Sequence, residues 1–262
     1  MNDKQHCSSD IESFLDDFLA CINGRRVDDT LSREVGFANA DYRIDDANCL
    51  IELKTLETNQ ADESSFTEKL ISLNKLTFEK SSKFENKKPP ASDYLFNQFL
   101  GSIEDAIYPR IKKIITKANK QIRETKINLG LDSYFGIVWI VNERCILLNP
   151  SILKKLVVKV LDTDSLTSVQ AVIISNVNLH VMAEDKEAPH LYWVPIFKIH
   201  KDKEEVDEAI WDIVHMIGLA WEVHVRKYFK IPINFKTISG NDLEMGDFHN
   251  LIENNAENKG CK

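Results

Sequence analysis

Residues 40–57, ADYRIDDANCLIELKTLE, set a lone carboxylate, a turn and a Glu-x-Lys strand in succession. Cys49 to Leu56 is a run of apolar and β-branched residues broken only at Glu52 and Lys54. Asp45 to Asn48, just before it, has the side chains of a turn, so Tyr42 to Ile44 and Cys49 to Thr55 read as a hairpin. Side chains alternate along a strand, which puts Glu52 and Lys54 on one face and Ile51, Leu53 and Thr55 on the other. Opposite charges in a strand this apolar are costly to desolvate unless they are paired or hold a ligand. Asp41 opens the preceding strand, so closing the hairpin brings its carboxylate beside Glu52. Two hard oxygen ligands suit Mg2+ or Mn2+, which keep several waters and accept phosphate oxygens. Lys54, next on the same face, is placed to hold an attacking water or to offset charge on phosphorus.

Asp41 followed after ten residues by Glu52-Leu53-Lys54 resembles the PD-(D/E)xK motif of the restriction-endonuclease-like nucleases, whose core runs αβββαβ. The resemblance implies that Asp41 and Glu52 are metal ligands, that the Leu53 carbonyl is a third, and that Lys54 is the catalytic lysine. Ala40 stands where the motif's name has proline. A further acid often joins the site near the start of such a core. Glu34 is the candidate, with Glu12, Asp16 and Asp17 on the first helix as alternatives. A Gln or Lys on the helix after the motif strand commonly assists, and Gln121 is the candidate, against a plain surface glutamine.

Around the motif, Ile11, Phe14, Leu15, Phe18, Leu19 and Ile22 recur at helical spacing, and Gly24 fits the helix end. Residues 25–34 read as a polar connection and Val35 to Phe37 as a short first strand. Residues 58–92, rich in Lys, Ser, Asn and Glu, read as an insertion leaving the motif strand, with a helical piece at Phe66 to Leu76. Its lysines, interleaved with Phe78 and Phe84, would suit a nucleic-acid backbone and its bases, but a mobile surface segment is the first reading of such a stretch. Ile107, Ile111, Ile114, Ile115, Ala118 and Ile122 then mark an amphipathic helix, with Pro109 near its start or at a kink. Phe135 to Val141 follows as a strand.

The remainder goes beyond such a core. Ile152 to Val160 and Val206 to Phe229 read as helices, and Val169 to Val177 and Leu191 to Ile199 as strands. The expected fold is therefore α/β with a mixed sheet. Its domains are a core at 1–148, an extension packed on the same sheet at 149–237, and a polar acidic tail at 238–262. The long final helix covers a sheet face or pairs with another subunit.

Composition sets limits. The 262 residues, 43% of them hydrophobic, can bury a substantial core. No apolar run reaches the roughly 18 residues of a membrane span, and the first ten residues lack a signal-peptide pattern, so the expectation is a cytoplasmic protein without a membrane partner. Cysteines at 7, 21, 49, 145 and 261 form no CxxC pair, which indicates neither a disulfide framework nor zinc. His215 and His224 are expected to share a helix face, as packed or surface residues. P-loop, GxSxG, HExxH and GxGxxG patterns are absent, leaving those chemistries without support.

The net charge of −8 argues against nucleic acid, whose phosphates favour basic surfaces. The charge is segregated, however. Seven Lys or Arg residues lie between Arg110 and Lys126 against the single acid Glu124. Lys113, Lys117, Lys120 and Arg123 are the nucleic-acid-binding candidates, with a solvated helix face as the alternative. The expected function is thus a Mg2+- or Mn2+-dependent endonuclease acting on nucleic acid, DNA foremost, and cutting both strands would call for a homodimer or for two sequential cuts. The alternative is a catalytically silent nuclease-like fold that binds protein or nucleic acid.

Overall fold

The computed structural model describes residues 8–31, 36–56, 92–142, 150–163, 165–176, 180–183, 186–189, 192–199 and 206–229. Within them the chain is a mixed α/β structure with four helices, α1 (Ser8–Cys21), α2 (Ser92–Leu129), α3 (Pro150–Leu161) and α4 (Glu208–Phe229). Its strands are β1 (Gly24–Arg26), β2 (Tyr42–Ile44), β3 (Cys49–Leu56), β4 (Phe135–Asn142), β5 (Ala171–Asn176), β6 (His180–Ala183), β7 (Lys186–Pro189) and β8 (Trp193–Phe197). One six-stranded sheet has the order β1-β2-β3-β4-β5-β8, and β6 and β7 pair separately.

The hairpin around residues 45–48 forms as its turn chemistry predicts. Asp45–Ala47 is a single 3-10 turn, and Asn48 takes the left-handed conformation at φ 45°, which asparagine tolerates better than most residues. β2 and β3 then run antiparallel, whereas β3, β4 and β5 are mutually parallel. The two parallel steps are carried by α2 and α3 on the same face of the sheet, as crossovers of one hand require.

Strand alternation divides the core between two faces. Leu50, Leu56, Val138, Ile140, Val172 and Ile174 pack with α2 and α3. Ile51, Ile137, Trp139, Val141 and Ile173 pack with α1 and α4. On the second face Phe18, Trp139 and Trp221 meet edge-to-face at 5.1–5.5 Å between ring centroids, the arrangement that aromatic quadrupoles favour. Gly136 lets the opposite layer close: a Cβ there would stand 2.0 Å from the Ser168 carbonyl oxygen and 2.8 Å from Ile122.

Three expectations are corrected. The first strand is not at Val35 to Phe37: Gly36 and Phe37 form a bend, Val35 lies outside the described residues, and the edge strand is Gly24–Arg26. Three residues, two of them arginine, carry too little apolar alternation to be recognised; pairing with β2 makes them a strand. The left-handed residue after α1 is Asn23, at φ 59°, rather than Gly24. His215 and His224 do not share a face, because nine residues at about 100° each amount to roughly half a turn of offset. His215 is exposed and stacks on Trp211, while His224 packs against Phe14 and Phe18.

Pro109 falls inside α2 and faces solvent, as does Asp105 one turn earlier, whose carbonyl loses its helical partner. The expected insertion at 58–92, its helical piece, and the tail at 238–262 lie outside the described residues apart from Ser92. No helix among the described residues is long and apolar enough to cross a membrane.

Candidate active site

The register Tyr42↔Ile51 in the β2–β3 ladder sets Asp41 opposite Glu52, one step outward. Asp41 is fixed from both sides. Its Oδ2 accepts the Leu53 N–H at 2.8 Å, and its carbonyl accepts the Val27 N–H at 2.9 Å. Glu52 is completely buried, with Oε1 ion-paired to the Lys54 ammonium and Oε2 buried without a partner. Lys54 keeps 22% of its side chain exposed, so it reaches from the buried carboxylate toward solvent.

The charges do not cancel. Two adjacent carboxylates, Glu52 buried and Asp41 partly so, face one ammonium, and an uncompensated buried charge is costly. Burial above all, and then the neighbouring Asp41 carboxylate, push Glu52 up to about 7 despite the Lys54 ammonium. Asp41 is raised as well, chiefly by burial, against the Leu53 N–H and Lys54. A site that holds a proton this strongly has room in its electrostatics for a cation. Among the described residues no group of three or more His, Cys, Asp or Glu side chains is placed to hold a metal ion, so the pair supplies two carboxylates. Glu34, the expected further acid, lies outside the described residues. Of its alternatives, Asp16 is engaged by Arg26 and by the Tyr42 hydroxyl, and Glu12 and Asp17 are exposed.

Helix α2 positions the strand entry, through residues that motif spacing did not single out. The Ala40 N–H donates to Thr125 Oγ1 at 2.7 Å, the Ala38 N–H to Glu124 Oε2 at 3.0 Å, and Thr125 Oγ1 in turn donates to the Gln121 carbonyl at 2.9 Å. These contacts span 85 and 86 residues, and nothing in local sequence signals them. They give the departure at Ala40 a physical reading, since proline has no N–H to offer Thr125. Gln121 donates through Nε2 to the Asn39 carbonyl at 3.1 Å, and its Oε1 is buried without a partner. It bonds to the segment leading into Asp41, the place of a positioning residue.

Thr125→Val keeps the shape and removes the hydroxyl, leaving the buried Ala40 N–H unpaired. The expected loss is about 1–2 kcal/mol, read as a lower urea midpoint with unchanged slope.

Lys113, Lys117, Lys120 and Arg123 are all exposed, and Lys120 lies 3.6 Å from Glu124. Arg123 follows Lys120 by three positions and so continues their row, although it stands well around the helix from Gln121. Lys113, Lys117, Lys120 and Arg123 thus follow one another at steps of four, three and three, on the side of α2 turned away from its buried stripe, with Lys117 nearest to Gln121.

In comparisons with protein-family models, curated proteins and solved structures, the chain matches none.

Proposed function

We propose that this chain is a metal-dependent phosphodiesterase of the restriction-endonuclease-like type, acting on nucleic acid, with DNA as the first substrate class to test. The observation that carries the reading is the Asp41–Glu52 pair opposed across the hairpin, with Lys54 next on the same face and Glu52 Oε2 buried and unpartnered. The succession α1-β1-β2-β3-α2-β4, with β3 parallel to β4, supports it as the αβββαβ order of that core.

The donor set fits Mg2+ or Mn2+: the carboxylates of Asp41 and Glu52 would hold the ion, with the Leu53 carbonyl as a third oxygen. Such an ion supplies Lewis acidity toward a phosphoryl oxygen and a more acidic bound water. The chain's own groups do the rest. Lys54 orients the nucleophile and offsets negative charge developing on phosphorus. Gln121 and Thr125 hold the entry to Asp41, and Lys113, Lys117, Lys120 and Arg123 offer charge for a phosphate backbone.

The net charge of −8 and the closed Glu52–Lys54 pair favour a second reading, a silent fold of this kind that binds a partner. One experiment separates the two: Mn2+ titration of wild type and Asp41→Asn, run beside cleavage of labelled single- and double-stranded DNA and RNA. The nuclease reading expects saturable Mn2+ binding that the variant loses, together with metal-dependent cutting. Equal binding by the variant, or none by either protein, defeats it.

A further inference from the structure

Helix α4 is apolar on two sides. Ile210, Val214, Ile217, Trp221 and Val225 are buried against the sheet, which accounts for one stripe. Met216, Leu219 and Val223 are 40%, 55% and 66% exposed, and their steps of three and four place them in a single row. At about 100° per residue that row faces away from the buried one. Single exposed apolar residues need no explanation, whereas a contiguous row marks a contact surface.

The ends of the row are charged with opposite signs. Asp212 and Arg226, both exposed, continue it by one step at either end, and each is seven residues from Leu219. At ~1.5 Å rise per residue they lie about 10 Å on either side of it. Two such helices packed antiparallel about Leu219 therefore bring each Asp212 to the other's Arg226, with Met216 against Val223 in the layers between. Packed parallel, the same row would set aspartate on aspartate and arginine on arginine. The pattern is thus self-complementary about a two-fold axis, as a symmetric dimer requires. Arg226 already holds Glu222 at 2.6 Å; a guanidinium has five donors and can take a second carboxylate.

We propose that the outer face of α4 is the self-association surface of this chain, with a second copy docked antiparallel on Met216, Leu219 and Val223 and with Asp212–Arg226 pairs closing both ends. The face lies on the opposite side of the sheet from the layer that Glu52 and Lys54 share with Leu50 and Leu56. The inference does not depend on the nuclease reading.

The test is sedimentation velocity of the full chain over a concentration series. The wild type should dimerise and Leu219→Asp should remain monomeric. Asp212→Arg and Arg226→Glu should each weaken association by about tenfold or more, since each places like charges together at both ends. An equimolar mixture of these two variants restores opposite charges at both ends and should recover wild-type association. A wild type that stays monomeric throughout overturns the proposal. So does a dimer indifferent to Leu219→Asp, or a mixture no tighter than its separate components.

Discussion

Replacing Lys54 by alanine should reduce metal-dependent cleavage by about 10²–10³-fold, the scale of losing one group aimed at developing charge. Lys54 also pairs with a fully buried carboxylate, so a loss of activity alone would not distinguish catalysis from misfolding. Metal affinity does distinguish them. Without the ammonium, Asp41 and Glu52 lose the cation that pairs with them, and their pull on a divalent ion grows. The nuclease reading therefore expects Lys54→Ala to bind Mn2+ as tightly as wild type or more tightly while turnover collapses. Lys54→Met, which keeps most of the side-chain volume, should behave the same way with less loss of stability. If Lys54 is only half of a structural ion pair, its removal lowers the urea midpoint and leaves no separation between binding and turnover. Wild-type cleavage rates in Lys54→Ala would remove the lysine from the mechanism.

The centre of the site was legible because every link in it is local. A turn at residues 45–48 fixes the hairpin, the hairpin fixes the register, and the two-residue period of a strand puts Glu52 and Lys54 on one face beside Asp41. The amphipathic helices were legible for the same reason, each carrying its own apolar row. What the sequence withheld is contact across distance. Thr125 and Glu124 reach Ala40 and Ala38 from α2, and neither has a spacing that signals it. Gly24–Arg26 is a strand only because β2 lies beside it. The two-sided character of α4 was present in the residues all along, but its outer row stands out only once burial has claimed the inner one.

The same buried pair predicts how stability should vary with pH. In the unfolded chain Glu52 titrates near its ordinary 4.5, whereas in the folded chain burial and Asp41 raise it to about 7. Between those values the folded state holds a proton that the unfolded state has released, so stability falls as pH rises through this window. Below it there is no penalty, and above it the penalty is complete. At ~1.36 kcal/mol per pH unit, a rise from 4.5 to about 7 amounts to about 3 kcal/mol. Glu52→Gln removes the titration and keeps the shape. In the presence of a chelator it should match wild type near pH 4.5 and exceed it by roughly 2–3 kcal/mol at pH 8, measured by urea denaturation at each pH. Mn2+ should then narrow the gap at pH 8, because only the wild type gains folding free energy from the ion. A difference between the two proteins that stays constant from pH 4 to pH 8 would show that Glu52 is not held as an uncompensated carboxylate. A gap that opens with pH and closes with metal would identify the instability as the one the ion relieves, as expected of a site that gives up stability for cation binding.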